Sequence, residues 1–440
     1  METIDFIQEK TKSVNWRITI KVVVIGFLTL FLLIPKVMIM ELIGERERTA
    51  LSVKNEVMQQ WSMLNTVRGP VLTIPYIEKV FDNDKKVYSE EIRQSHFLPK
   101  SLKVEGEIFP EQRHRSIYDV MVYESNVAIS GYFVAPNFEA LKINPELVLW
   151  DKAELSVGIN DLRGISELAE LNWNDMKFTF SPGIENSVVG KDGITVKLPA
   201  DIVNAFPGKF ACKFRLKGAE SLQFAPLGEV TEINMKSAWN DPGFVGNFLP
   251  EDSEITKDGF TANWKVLHFN RNFPQLWKDN SYSVTDSDFG VKLVTVADHY
   301  QKNMRSAKYG ILVILFTFLS FFLNEIITKQ RIHPFQYILV GISILIFYLL
   351  LLSVSEQIGF NLGYLISAVS VILMVLLYSR TFLKKWSNSF VLTLILATSF
   401  GFIFILLQLE SFALLAGSIG LFAVLALIMF FTRKINWYNM

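Results

Sequence analysis

The sequence predicts a membrane protein: an α-helical transmembrane bundle of one N-terminal and five C-terminal helices, with a large, mainly-β extracytoplasmic domain inserted after the first. Three observations predict it. Half of the 440 residues are hydrophobic and the mean hydropathy is +0.29, more apolar than a soluble chain of this length needs. The excess is uneven, because 44–308 is charged and mixed while 309–432 is almost continuously apolar. Within that apolar stretch lysine and arginine recur only in alternate short loops, the pattern of a chain that crosses a bilayer repeatedly.

Taken in order, residues 1–21 read as a cytoplasmic arm carrying Lys10, Lys12, Arg17 and Lys21. The run "VVVIGFLTLFLLIPKVMIM" at 22–40 matches the ~20 residues that span a bilayer core. Pro35 predicts a kink and Lys36 a side chain snorkelling to the headgroups. No small-x-small cleavage site follows, so the run reads as an uncleaved anchor. Leu42, Ile43, Leu51, Val57, Met58 and Trp61 recur at helical steps and predict a stalk helix over 41–66. From 67 to 290, segments such as "GPVLTIPYIEKVF", "SLKVEGEIF", "FACKFRLKG" and "FTANWKVLHF" alternate with turn signals. They predict a sandwich-like domain of antiparallel strands, long enough for two packed lobes. "VADHYQKNMRSAKYG" points to a return helix leading into the next span, placed at 291–308. Five spans follow near 309–327, 335–354, 358–378, 390–407 and 412–431, and 433–440 is a tail.

Loop charge sets the expected direction. Lys329 and Arg331, then Arg380, Lys384 and Lys385, then Arg433 and Lys434 fall on one side, with Trp16, Trp386 and Trp437. The loops near 354–361 and 408–411 hold neither lysine nor arginine. Both termini are therefore expected in the cytoplasm and the large domain outside it.

Chemistry is sparse. The formal net charge is zero, without a basic block, which argues against a nucleic-acid partner. The single cysteine, Cys212, cannot form an internal disulfide and reads as a small buried hydrophobe. The histidines at 96, 114, 268, 299 and 333 lack metal-ligand spacing. There is no phosphate-cradling loop, nucleophile elbow or His-Glu-x-x-His run. The expectation is a protein with no catalytic residue, metal or cofactor, and not an enzyme. Arg113, His114 and Arg115 form a basic cluster that suits an anionic headgroup or glycan, or simply an exposed loop. Ionisable groups at a membrane are costly and usually have partners. Lys36, Glu356 and Glu410 map to the outer edge, and Glu325 to the inner edge beside Arg331. Ser353–Glu356 has the spacing of a capping box that starts the next helix, which is the first expectation for Glu356; pairing of Lys36 with Glu356 or Glu410 is the sharper alternative.

Three groups of segments carry a family resemblance. They are "LLIPKVMIMELIGERE" and "RGPVLTIPY"; "FAPLGEVTEINMKSAWNDPGFVGNFLP" and "GFTANWKVLHFNRNFPQLW"; and "HPFQYILVGISILIFYLLLLSVSEQIGF" with "LALIMFFTRKINWY". The chain resembles the CreD family of bacterial inner-membrane proteins, called cell envelope integrity proteins. Gly243, Gln357 and Asn436 stand where that pattern more often has serine, histidine and aspartate, and Gln357 removes a Glu-His relay. The resemblance implies a multi-pass inner-membrane protein that supports envelope integrity or the envelope stress response through its periplasmic domain. It brings no catalytic residue. Trp239, Pro242, Arg271, Pro274 and Trp277 recur in the family, as folding or recognition residues. The expected partners are the lipid bilayer and an envelope protein or lipid; the oligomeric state stays open. The alternative is a transporter or lipid-handling protein with its site between the membrane bundle and the β domain.

Overall fold

The computed structural model describes residues 16–82, 87–115, 118–185, 188–293, 299–328, 331–383, 385–409 and 412–433. The chain divides into two compact units, Leu51–Thr295 and the combination of Met1–Ala50 with Val296–Met440.

The first element, α1 (Trp16–Trp61), runs through Pro35 without a break. It joins the expected anchor and stalk into one helix. It ends at Trp61 rather than at 66 because Asn65–Val67 are already paired, in parallel, with Leu222–Phe224.

The β unit follows with β1 (Asn65–Asp82), β2 (Val87–Phe97), β3 (Ser101–Arg115), β4 (Tyr118–Phe133), β5 (Glu154–Ile159), β6 (Glu170–Trp173), β7 (Met176–Thr179), β8 (Ser181–Pro182) and β9 (Gly193–Lys197). A short helix, α2 (Ala200–Val203), precedes β10 (Gly208–Ala219), β11 (Ser221–Phe224), β12 (Val230–Ser237), β13 (Pro242–Gly246), β14 (Asp252–Thr256), β15 (Gly259–Leu267), β16 (Leu276–Lys278) and β17 (Phe289–Leu293). Residues 291–293, expected to start the return helix, belong to β17.

Two sheets result. One is nine-stranded, in the order β13-β17-β11-β1-β5-β9-β8, with β2 added to β1 and β16 to β2. The other is eight-stranded, in the order β14-β15-β12-β3-β4-β10-β6-β7. The pairings are antiparallel except β1 with β11 and β3 with β12. The period-2 alternation of a strand decides which face is buried. Leu102, Val104 and Ile108 of β3 point inward, as do Phe210, Cys212, Phe214 and Leu216 of β10 and Ala262, Trp264 and Val266 of β15. β5 is buried throughout, so both of its faces are covered. Both sheets contribute to one continuous buried cluster, with Trp173, Tyr123, Phe133, Phe224 and Phe289 among its largest side chains. Cys212 lies inside it, and burial pushes its thiol well above the ordinary range.

The membrane unit holds α3 (His299–Thr328), α4 (Pro334–Ile358), α5 (Phe360–Phe382), α6 (Trp386–Gln408) and α7 (Ala413–Thr432). α3 packs on α4 and α6, α4 on α5, and α5 on α6, which closes a four-helix ring; α7 contacts α6. Among the described residues, α1, α3, α4, α5 and α6 are each long and apolar enough to cross a bilayer, and α7 is a sixth apolar helix. Small residues set the close approaches, as in other membrane bundles. A Cβ at Gly341 would collide with Leu32, and one at Gly363 would lie 2.9 Å from the backbone of Ser355.

Candidate functional site

The charged residues at the ends of the membrane unit have been given different partners from those expected. Lys36 Nζ donates to the carbonyl of Lys308 at 3.3 Å. Glu356 accepts from the hydroxyl of Tyr300 at 3.0 Å. Tyr300 and Lys308 are eight residues apart on α3, or about 12 Å along the axis. That separation is why Lys36 and Glu356 do not form the expected ion pair. Glu410 lies outside the described residues.

The capping role expected for Glu356 is also corrected. α4 continues to Ile358, so Ser353 and Glu356 sit in its last turns and not at the start of α5. The break is Gly359, with φ 82, where residues other than glycine are strained. A carboxylate at a helix C-terminus opposes the helix dipole, and the Tyr300 hydroxyl offsets that.

At the opposite end, Glu325 pairs with Lys21 rather than with Arg331. Lys21 also donates to the carbonyl of Ile332 at 3.0 Å, and Arg331 is exposed. Lys21 was a missed partner: it stands at the start of the first apolar run, the edge to which Glu325 also maps.

A polar seam lies between the helices. Asn303 donates to Ser355 Oγ at 2.8 Å, and Ser355 in turn to the Leu352 carbonyl at 3.1 Å. Most hydroxyls of the bundle bond back to their own helix, as Thr317, Ser320 and Ser370 do. Ser306, Ser367 and Ser389 do not, and with Asn303 Oδ1 and the Tyr348 hydroxyl they are buried without a hydrogen-bond partner among the described residues.

In the β unit the recurring residues are built into the fold. Arg271 is buried, and burial holds its guanidinium down at about 10. It donates to the carbonyls of Phe273 at 2.5 Å and Leu227 at 3.3 Å and to the side chain of Gln275. It also covers the Phe273 ring at 4.2 Å. Pro274 is the next residue of this loop, and its carbonyl faces Arg271 at 3.4 Å. Trp277 is buried against His96, Phe273 and Tyr282, with ring centroids 5.6, 6.4 and 6.1 Å away. His96 Nδ1 is 3.0 Å from Thr73 Oγ1, and burial pushes the imidazole down to about 4, against the opposing pull of Asp279. Trp239 donates its indole N–H to the carbonyl of Asp241 at 2.9 Å, and Pro242 opens β13.

The basic cluster is likewise occupied. Arg113 lies 3.7 Å over the Trp61 ring and Arg115 pairs with Glu56 at 2.7 Å, both fixing the last turns of α1 to the eight-stranded sheet. Among the described residues no group of His, Cys, Asp and Glu could hold a metal ion. A groove of about 610 Å³ crosses the outer face of that sheet. Its lining includes Asn126, Asn234, Thr261 and Asn263 with Glu105, Glu107, Lys213 and Lys236, the two glutamates on the central strand β3.

These features define a polytopic membrane protein that carries a two-sheet β unit between its first and second apolar helices. The family model described as "Inner membrane protein CreD" matches residues 17–438. The Escherichia coli (strain K12) "Inner membrane protein CreD" is 34% identical over 413 residues, covering 93% of this chain and 91% of that protein. The chain belongs to the CreD family of inner membrane proteins.

Proposed function

We propose that this protein supports the integrity of the cell envelope by binding, without catalysis, through a periplasmic β unit. The supporting observation is the open polar groove on the eight-stranded sheet. Its charges are mutually compensated, as in Lys236 with Glu107 at 3.0 Å, and neutral amides and hydroxyls are interspersed among them. Such a surface suits hydrogen bonding to an extended polar partner more than acid–base work. Buried titratable groups such as Arg68, which pairs with Asp288, and His96, beside Thr73, hold strands and loops together. The test is a photoreactive residue at Asn234 or Asn126 in intact cells, followed by identification of what is captured. A specific envelope protein, glycan or lipid supports the reading; turnover of a soluble substrate with no captured partner overturns it.

A second reading, transport, draws on the unpartnered oxygens of the seam at Asn303, Ser306, Tyr348 and Ser367. Solute uptake by the reconstituted protein that falls in Asn303→Leu would favour it.

A further inference from the structure

α1 and α4 meet where Leu32 fills the space over Gly341. From Leu28 back to Ile20, about 12 Å of helix, the two helices leave a groove of about 240 Å³. Ile20, Val24, Ile25 and Leu28 form its apolar wall, while Lys21 and Tyr337 bring polar groups to it. Lys21 gives one N–H to Glu325 and one to the Ile332 carbonyl, which leaves the third of its ammonium protons. Tyr337 is buried, wedged between Phe318 and Phe321 at 5.4 Å each, and its hydroxyl has no partner among the described residues. A buried hydroxyl in a membrane helix needs an acceptor, and the hydrocarbon offers none.

We propose that this groove seats one phospholipid. The acyl chain runs along Val24 and Leu28, and the phosphate accepts from Lys21 and the Tyr337 hydroxyl. Both donors stand at the start of their helices, the depth of the headgroups, and the wall between them and Leu32 is aliphatic. Arg331, exposed next to Ile332, adds positive charge on the same rim. The site stands on the geometry of the membrane unit alone and holds whichever way the bundle is oriented.

The test uses the full-length protein in detergent, stripped of lipid and titrated with dioleoylphosphatidylglycerol or dioleoylglycerol. Native mass spectrometry and the thermal midpoint are read together. The wild type is expected to retain one phosphatidylglycerol and to melt higher with it, and to bind dioleoylglycerol at least tenfold more weakly. Tyr337→Phe, which is isosteric, should bind phosphatidylglycerol about tenfold more weakly, the loss of one charge-assisted hydrogen bond. It should melt no lower than the wild type when lipid-free. Val24→Trp fills the groove one turn from Lys21 and should abolish retention. Equal affinity for the two lipids, or wild-type retention in either variant, overturns the proposal.

Discussion

Arg271 and His96 carry the clearest consequences at the scale of single residues. Arg271 is a buried cation whose hydrogen bonds run to neutral acceptors in its own loop and to Leu227. Replacing it by methionine strands those carbonyls, and each buried unpaired group costs ~1–3 kcal/mol. Arg271→Met is therefore expected to lower the stability of the β unit by on the order of 3 kcal/mol, with Arg271→Lys nearly as damaging because an ammonium cannot span the fork. Thermal melting of the purified protein checks both. His96 makes a pH prediction. Its folded value of about 4 lies below the ~6.5 of an unfolded histidine, so the unfolded chain binds the extra proton. The stabilisation is fully present above ~6.5 and is lost as pH falls toward 4, by roughly 3 kcal/mol at most. Denaturation midpoints should fall between pH 7 and pH 5 in the wild type and fall less in His96→Gln; parallel curves would remove His96 as the cause. Sequence reading singled out Arg271 and Trp277 without separating folding from recognition. That distinction needed the loop geometry, since the acceptors of Arg271 include Leu227, distant in sequence.

Among the elements, the turn between α4 and α5 shows where local pattern misleads. "SVSE" has the spacing of a capping box, but that pattern carries no statement of whether the preceding helix has ended. The chain stays helical through it and turns only at Gly359, whose φ of 82 is the physical stop. Gly359→Ala strains that stop and is expected to cost on the order of 1–3 kcal/mol. Gly363→Val should cost a similar amount by a different route, because Ser355 backbone atoms at 2.9 Å force α4 and α5 apart. Differential scanning in detergent should show both variants melting lower, while Gly401→Ala, which meets nothing within 4 Å, melts as the wild type. Apolar spans and strand segments were legible because hydropathy and period-2 alternation are local properties. The parallel pairings of β1 with β11 and β3 with β12 were not, since register between segments more than a hundred residues apart leaves no local trace. The Lys21–Glu325 pair escaped for the same reason: its members are 304 residues apart.

For the whole molecule, the remaining question is which side of the inner membrane faces the β unit. The loop charges argue for the periplasm: Arg331 and Arg380 follow α3 and end α5, while the turn between α4 and α5 has no basic residue. Lys302, Arg305 and Lys308, just inside the first turns of α3, argue the other way. Short loops obey the charge rule more strictly than segments flanking a large translocated domain, which supports the periplasmic placement proposed above. Cys212 makes the test clean, because it is the single cysteine and is buried, and a thiol raised by burial reacts poorly. Asn126→Cys, exposed on the sheet face, should react with a membrane-impermeant maleimide in spheroplasts. Ser387→Cys, exposed at the start of α6, should react only after the membrane is opened. The wild type should stay unlabelled in both conditions. The reverse order of labelling would put the β unit in the cytoplasm and would end the periplasmic binding reading, while leaving the lipid groove between α1 and α4 untouched.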